Sequence, residues 1–143
     1  MNDGPPATRS VVIEREFPWP PERLWRALTQ PQLIEAWLMK NDFVPVPGHR
    51  FTLRGDWGGV LECEVRLVEP HRRLSYSWDF THEDPAFDLR SVVTFTLEPT
   101  ATGTRLQVEQ VGFRPEQKQA FGGARAGWAR FLEKLEGLLP VVD

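Results

Sequence analysis

A chain of 143 residues, 41% hydrophobic and 26% charged, is long enough to bury one core and too short for two ordinary domains. Its net charge of −3, from 17 basic and 20 acidic residues spread along the chain, excludes the basic face that a nucleic-acid binder needs. The single cysteine, Cys63, excludes an intrachain disulfide and a cysteine zinc site, and without a signal-peptide pattern or an apolar run of about 18 residues the expected setting is the cytoplasm, away from membranes.

Residues 1–9, polar and carrying Gly4-Pro5-Pro6, read as a flexible end. Residues 11–17 alternate, with Val11, Ile13 and Phe17 on one face and Glu14 and Glu16 on the other, which predicts a strand. Pro18, Pro20 and Pro21 stop it. Pro21 suits the first position of a helix, Glu22 favours its dipole, and Leu24, Trp25 and Leu28 form its apolar face. Pro31 ends that helix, and a second short one is expected over 32–37. From Phe43 the period falls to two. Strands are predicted over 49–54, 60–68, 73–80, 90–98 and 104–111, with turns at Gly55–Gly59 and Pro70-His71 and a polar loop over 81–88. Cys63 faces inward and reads as a buried structural thiol. Residues 115–139 return to helical spacing through Phe121, Ala124, Trp128, Phe131, Leu132, Leu135 and Leu138, with Pro115 at the expected start. The fold class is therefore α+β: a curved antiparallel sheet of about six to seven strands, wetted on one face and gripping a long C-terminal helix. One domain is expected over 10–139, with a tail at 140–143.

The segments Ile13–Phe17, Pro21–Pro31, Pro47–Phe51, Val68–Trp78, Gly103–Leu106, Gly112-Phe113 and Gly127-Trp128 together resemble the START-like (SRPBCC, birch-pollen-allergen-like) superfamily. More narrowly, they resemble the bacterial family named after the activator of heat-shock-protein-ninety ATPase. The resemblance implies a helix-grip fold. It also implies a choice of functions: a carrier of small hydrophobic molecules, a co-chaperone-like module acting on a chaperone or client protein, or a polyketide cyclase-like enzyme. Fold analogy does not choose among them. Where family members often carry a histidine before Gly112-Phe113, this chain has Gln110.

A sheet curled around one helix leaves space that side chains, water or a ligand must fill, because an empty 300 Å³ void would cost roughly 7 kcal/mol. Gly122, Gly123 and Gly127, with Ala120, Ala124 and Ala126, thin the first half of the long helix. Three interior glycines cost roughly 2–3 kcal/mol, so they imply a close approach, tight packing on the sheet, or fraying. Strand parity puts Arg15 on the inner face. If the first and last strands pair, Gln110 joins it, and the two, with Tyr76, are candidates for the polar end of a cavity. The alternative for Arg15 is a salt bridge at the sheet's rim. Candidate lining residues are Trp37, Phe51, Trp78, Phe95, Phe121, Ala124 and Trp128, with Trp37 and Trp57 as candidate gates.

The histidines His49, His71 and His82 lack metal-ligand spacing, and no nucleophile elbow, Walker loop or dinucleotide fingerprint occurs. Neither a metal nor a cofactor is expected, and no catalytic set is visible. Binding of a small apolar or aromatic molecule without catalysis is the leading expectation; an enzyme would have to rely on Tyr76 and Arg15.

Overall fold

The computed structural model describes residues 8–142. Its elements run β1 (Arg9–Phe17), α1 (Pro21–Thr29), α2 (Pro31–Trp37), β2 (Lys40–Asn41), β3 (Arg50–Arg54), β4 (Val60–Glu69), β5 (Arg73–Phe80), β6 (Leu89–Pro99), β7 (Thr104–Phe113) and α3 (Lys118–Leu138). The seven strands form one antiparallel sheet in the order β1-β7-β6-β5-β4-β3-β2. This is the helix-grip arrangement that the alternation and the long helical segment imply. Of the expected flexible end, residues 1–7 lie outside the described residues, while Arg9 is already paired with Phe113.

Local chemistry explains most boundaries. In α1, Pro21 occupies the first turn with Glu22, Arg26 lies in the last turn, and Leu24, Ala27 and Leu28 are buried. Pro31 does more than end α1. It opens α2, because a proline at the first helical position removes an N–H that would have no partner there. The two-residue β2 is too short to show a period and was not anticipated. The long helix begins at Lys118 rather than near residue 115. Arg114–Gln117 forms a turn instead, with the Gln117 N–H donating to the Arg114 carbonyl at 2.9 Å. The Gln117 side chain holds that turn to the β5–β6 loop, accepting from the Arg114 N–H at 2.9 Å and donating to the Asp88 carbonyl at 2.6 Å. After α3 the chain makes one further tight turn, Leu139–Val141, which seats Leu139 and Val142 in the interior.

Inward residues of the sheet, α1, α2 and the second half of α3 share one core. Aromatic rings cross it in a chain of edge-on and tilted contacts. Phe43 meets Phe51 at 5.1 Å, Phe51 meets Tyr76 at 5.1 Å, Tyr76 meets Phe95 at 5.7 Å, and Phe95 meets Trp128 at 5.8 Å between centroids. Edge-to-face contact of this kind adds stability beyond area burial.

Cys63 and Tyr76 both lie in that core, and burial pushes both acids above their ordinary values of 9.0 and 10.0. The folded protein therefore keeps both protons where the unfolded chain has lost them. Stability is fully present below about pH 9 and falls as pH rises through the unfolded values, by about 1.4 kcal/mol per pH unit for each group once it ionises in the unfolded state. Unfolding by urea between pH 8 and 11 checks this. Cys63→Ala should shift the onset from near pH 9 to near pH 10; an unchanged onset would refute the assignment.

Candidate functional site

Where the helix does not reach the sheet, a space remains. In α3, Trp128, Leu132 and Leu135 are buried, whereas no residue before Trp128 is. The C-terminal half of the helix is seated on the core, and the N-terminal half meets it through partly buried side chains such as Phe121 and Ala124. Between that half and the sheet lies a cavity of about 240 Å³, walled by Met39, Leu61, Trp78, Leu89, Gln110, Phe113, Trp128 and Phe131 and, on the helix side, by Ala120, Gly123, Ala124 and Gly127, with Trp57 at its mouth.

The helix glycines acquire a specific meaning here. A Cβ added at Gly122, Gly123 or Gly127 would meet no heavy atom within 4 Å. Tight packing on the sheet is therefore ruled out as their reason. Gly123 and Gly127 leave bare backbone on the cavity wall. Replacing both with alanine should raise stability by about 1 kcal/mol each through helix propensity, because nothing resists the added methyls. Thermal unfolding checks the gain, and a loss would show that the helix packs more closely than this geometry allows.

Gln110 provides the cavity's polar point. It pairs with Val11 on β1 and Val93 on β6, which places it on the inner face, 2% exposed. Trp128 Nε1–H donates to Gln110 Oε1 at 2.8 Å. Gln110 Nε2–H donates to Ser91 Oγ at 3.0 Å, and Ser91 Oγ–H donates to the Trp78 carbonyl at 2.6 Å. An indole can only donate and a backbone carbonyl can only accept, so this chain has one possible direction. The amide is locked with its oxygen toward Trp128, and Nε2 retains one further N–H.

The mouth of the cavity is aromatic. A cleft of about 490 Å³, walled by Trp57, Leu61, Phe80, His82, Phe87, Leu89 and Ala120, shares four of these residues with the cavity and leads out of it. Trp57 is 62% exposed and packs edge-on against Phe80 at 5.6 Å. Its indole lies across Gly55 and Gly59, whose missing Cβ atoms would occupy the ring's position. The Gly-rich turn therefore shapes the seat of this ring.

Of the residues expected from sequence, Trp78, Gln110, Ala124 and Trp128 meet at the cavity. Phe121 stands beside it, edge-on to Phe113 at 5.7 Å and under the Arg9 guanidinium at 5.1 Å. Four others lie deeper in the core, away from the cavity wall. Phe51 and Tyr76 belong to the ring chain described above, as does Phe95, and Trp37 meets Phe95 at 6.3 Å while its Nε1–H donates to the Ala27 carbonyl at 2.8 Å. Trp37, 1% exposed, cannot gate anything; Trp57 occupies that position. Arg15 lies far along β1 from Gln110, opposite Leu106, and reaches Glu136 on the C-terminal half of α3 at 3.8 Å. It is the rim salt bridge, because the seated end of the helix leaves no cavity there. Met39, Leu61, Leu89, Phe113 and Phe131 are lining residues that sequence reading missed, while the glycine-thinned first half of the helix was visible in it. Gly112-Phe113 was noticed only as a motif.

A second hollow of about 430 Å³ lies on the opposite, wetted face of the sheet, among Arg50, Glu62, Glu64, Arg66 and Asp79. Its side chains are a mixed surface charge field. Among the described residues, no group of three His, Cys, Asp or Glu is placed to hold a metal ion, and no helix is long and apolar enough to cross a membrane.

Comparison with known proteins agrees with this architecture. Protein MLL2253 from Mesorhizobium loti is 66% identical over 94% of this chain and 99% of its own, with a TM-score of 0.91. DynU16, described as a putative protein in the dynemicin biosynthetic locus, is 26% identical over 92% of this chain, with a TM-score of 0.79. This chain spans about half of DynU16, 47% of its length. CalU16 from Micromonospora echinospora is 25% identical over 92% of this chain and 76% of its own, with a TM-score of 0.77. No functionally curated protein matches the chain by sequence. The family model described as Activator of Hsp90 ATPase homolog 1-like protein matches residues 18–140, nearly the whole helix-grip domain, and the chain belongs to that family.

Proposed function

We propose that this protein binds a small hydrophobic or aromatic molecule in the cavity between the sheet and the first half of α3, without catalysing a reaction on it. The observation that carries this reading is the helix that stands off the sheet over bare Gly123 and Gly127, opposite the rings of Trp78 and Trp128. The cavity of about 240 Å³ opens outward past Trp57, and its mainly apolar wall gives water few partners. An apolar occupant entering through the aromatic cleft displaces that poorly bonded water. An apolar cavity of ~150 Å³ already accepts benzene, so this one suits a molecule of about two fused rings. The relative encoded in a biosynthetic locus agrees with a small molecule as the occupant.

The wall itself argues for binding over catalysis. Among the described residues, those lining the cavity include no carboxylate, histidine, lysine or arginine. Tyr76, the chain's only phenol, is enclosed by Phe43, Phe51 and Phe95 and does not face the cavity. General acid–base work needs such a group within reach of the reacting atom.

The test is a titration of ¹⁵N-labelled protein with a panel of neutral one- and two-ring aromatics, following the indole N–H signals of Trp128 and Trp78. Saturable shifts confined to cavity residues are expected, and Gly123→Ala with Gly127→Ala should weaken binding about tenfold while the fold becomes more stable. No saturable shift with any compound would end the proposal.

A further inference from the structure

The cavity wall also says what kind of molecule fits, an inference that rests on the binding function proposed above. The geometry points to an uncharged aromatic ligand carrying one hydroxyl or carbonyl oxygen, held by the spare hydrogen-bonding capacity of the Gln110 amide. The wall excludes anions.

Three observations combine. First, among the described residues Gln110 is the one hydrogen-bonding side chain that lines the cavity apart from the indoles of Trp57, Trp78 and Trp128, and of these the Trp128 N–H is committed to it. Second, Gln110 cannot turn away. Trp128 fixes its oxygen, and Ser91, itself committed to the Trp78 carbonyl, fixes its nitrogen. The amide is thus a preorganised contact, presented by a strand and braced on both sides. What remains is one N–H on Nε2, which a hydroxyl or carbonyl oxygen can accept, and a second lone pair on Oε1, to which a hydroxyl can donate. Third, among the described residues no charged side chain lines the cavity, and in the outer cleft His82 is the only titratable one. A carboxylate placed beside Gln110 would leave water with no cation to meet it, which is far more costly than burying a neutral oxygen that finds one partner.

The size of the preference follows from what is left unpaired. A site whose polar group has no other partner rejects an analogue lacking the matching group by orders of magnitude. Gln110 already has two partners. Only one ordinary hydrogen bond is at stake, about a tenfold effect. Discrimination against an anion is a charge-burial effect and should reach about a hundredfold or more.

Three compounds of one shape read this out at pH 7.5: 2-naphthol, 2-methylnaphthalene and 2-naphthoate. The expected order is naphthol about tenfold tighter than methylnaphthalene, with naphthoate at least a hundredfold weaker than naphthol. Naphthol should move the Gln110 side-chain N–H₂ signals, and methylnaphthalene should not. In Gln110→Leu the naphthol advantage should vanish while methylnaphthalene binding stays within about twofold. If that variant does not fold, the Gln110 signals of the unaltered protein decide. Equal binding of naphthol and naphthoate, or of naphthol and methylnaphthalene with Gln110 unmoved, overturns this inference and leaves the binding function standing. Failure of all three to bind overturns this inference, and it ends the binding function as well when the one- and two-ring panel also gives no saturable shift.

Discussion

Trp128→Ala is expected to lower stability by about 4 kcal/mol, the largest loss of any single change at the site. Trp128 is 2% exposed and touches Trp78 at 5.2 Å, Phe95 at 5.8 Å and Phe131 at 5.7 Å between ring centroids. Deleting it removes the joint between the ring chain of the core and the seated half of α3. It also leaves Gln110 Oε1 without its donor, which accounts for about 1–3 kcal/mol of that loss. Trp128→Phe separates the two effects. It keeps most of the ring and loses the N–H, so it should cost about 1–3 kcal/mol, chiefly from the orphaned acceptor. Urea unfolding followed by far-ultraviolet circular dichroism measures both. A loss below about 2 kcal/mol for the alanine variant would mean that helix and sheet close over the vacated space.

Gly112→Ala should be nearly as damaging, at about 3 kcal/mol or more, and for a different reason. Gly112 has φ +132°, a conformation that side chains rarely adopt, and its Cβ would overlap the Arg90 carbonyl oxygen and come to 2.9 Å from Ser91 Cα. The obstacle is backbone of the neighbouring strand, which cannot swing aside as a flexible side chain would. Ser91 is the middle of the Gln110 chain, so a shift of β6 would disturb the cavity's polar point as well. The same substitution at Gly123 should raise the melting temperature by about 3 °C, whereas at Gly112 it should lower it by roughly 10 °C. Melting curves of the two variants side by side check the contrast. Equal shifts would contradict the backbone geometry at both positions.

That contrast marks the limit of sequence reading at this site. Both glycines were visible as motif or composition, yet nothing local separates one pressed against a strand from one facing open space. Gln110 and Arg15 make the same point. Both have inward parity, and sequence alone allowed both to cap a cavity. Their fates diverge because they stand at different points along the paired β1 and β7, Gln110 opposite Val11 and Arg15 opposite Leu106, so Arg15 meets Glu136 and Gln110 meets Trp128. Tyr76 and Phe51, inward by the same parity, fall where rings already fill the hollow.

Alternation at period two, prolines at element ends and helical spacing in the last segment determined by themselves the order of the main elements, all but the two-residue β2, the inward face of the long strands and a curved sheet gripping a C-terminal helix. These follow from backbone restrictions and burial that act over a few neighbouring residues. Only the tertiary structure decided which inward side chains pack solid and which border a cavity. That depends on where a long, straight helix lifts away from a curving sheet, a separation set jointly by every element that seats its other end.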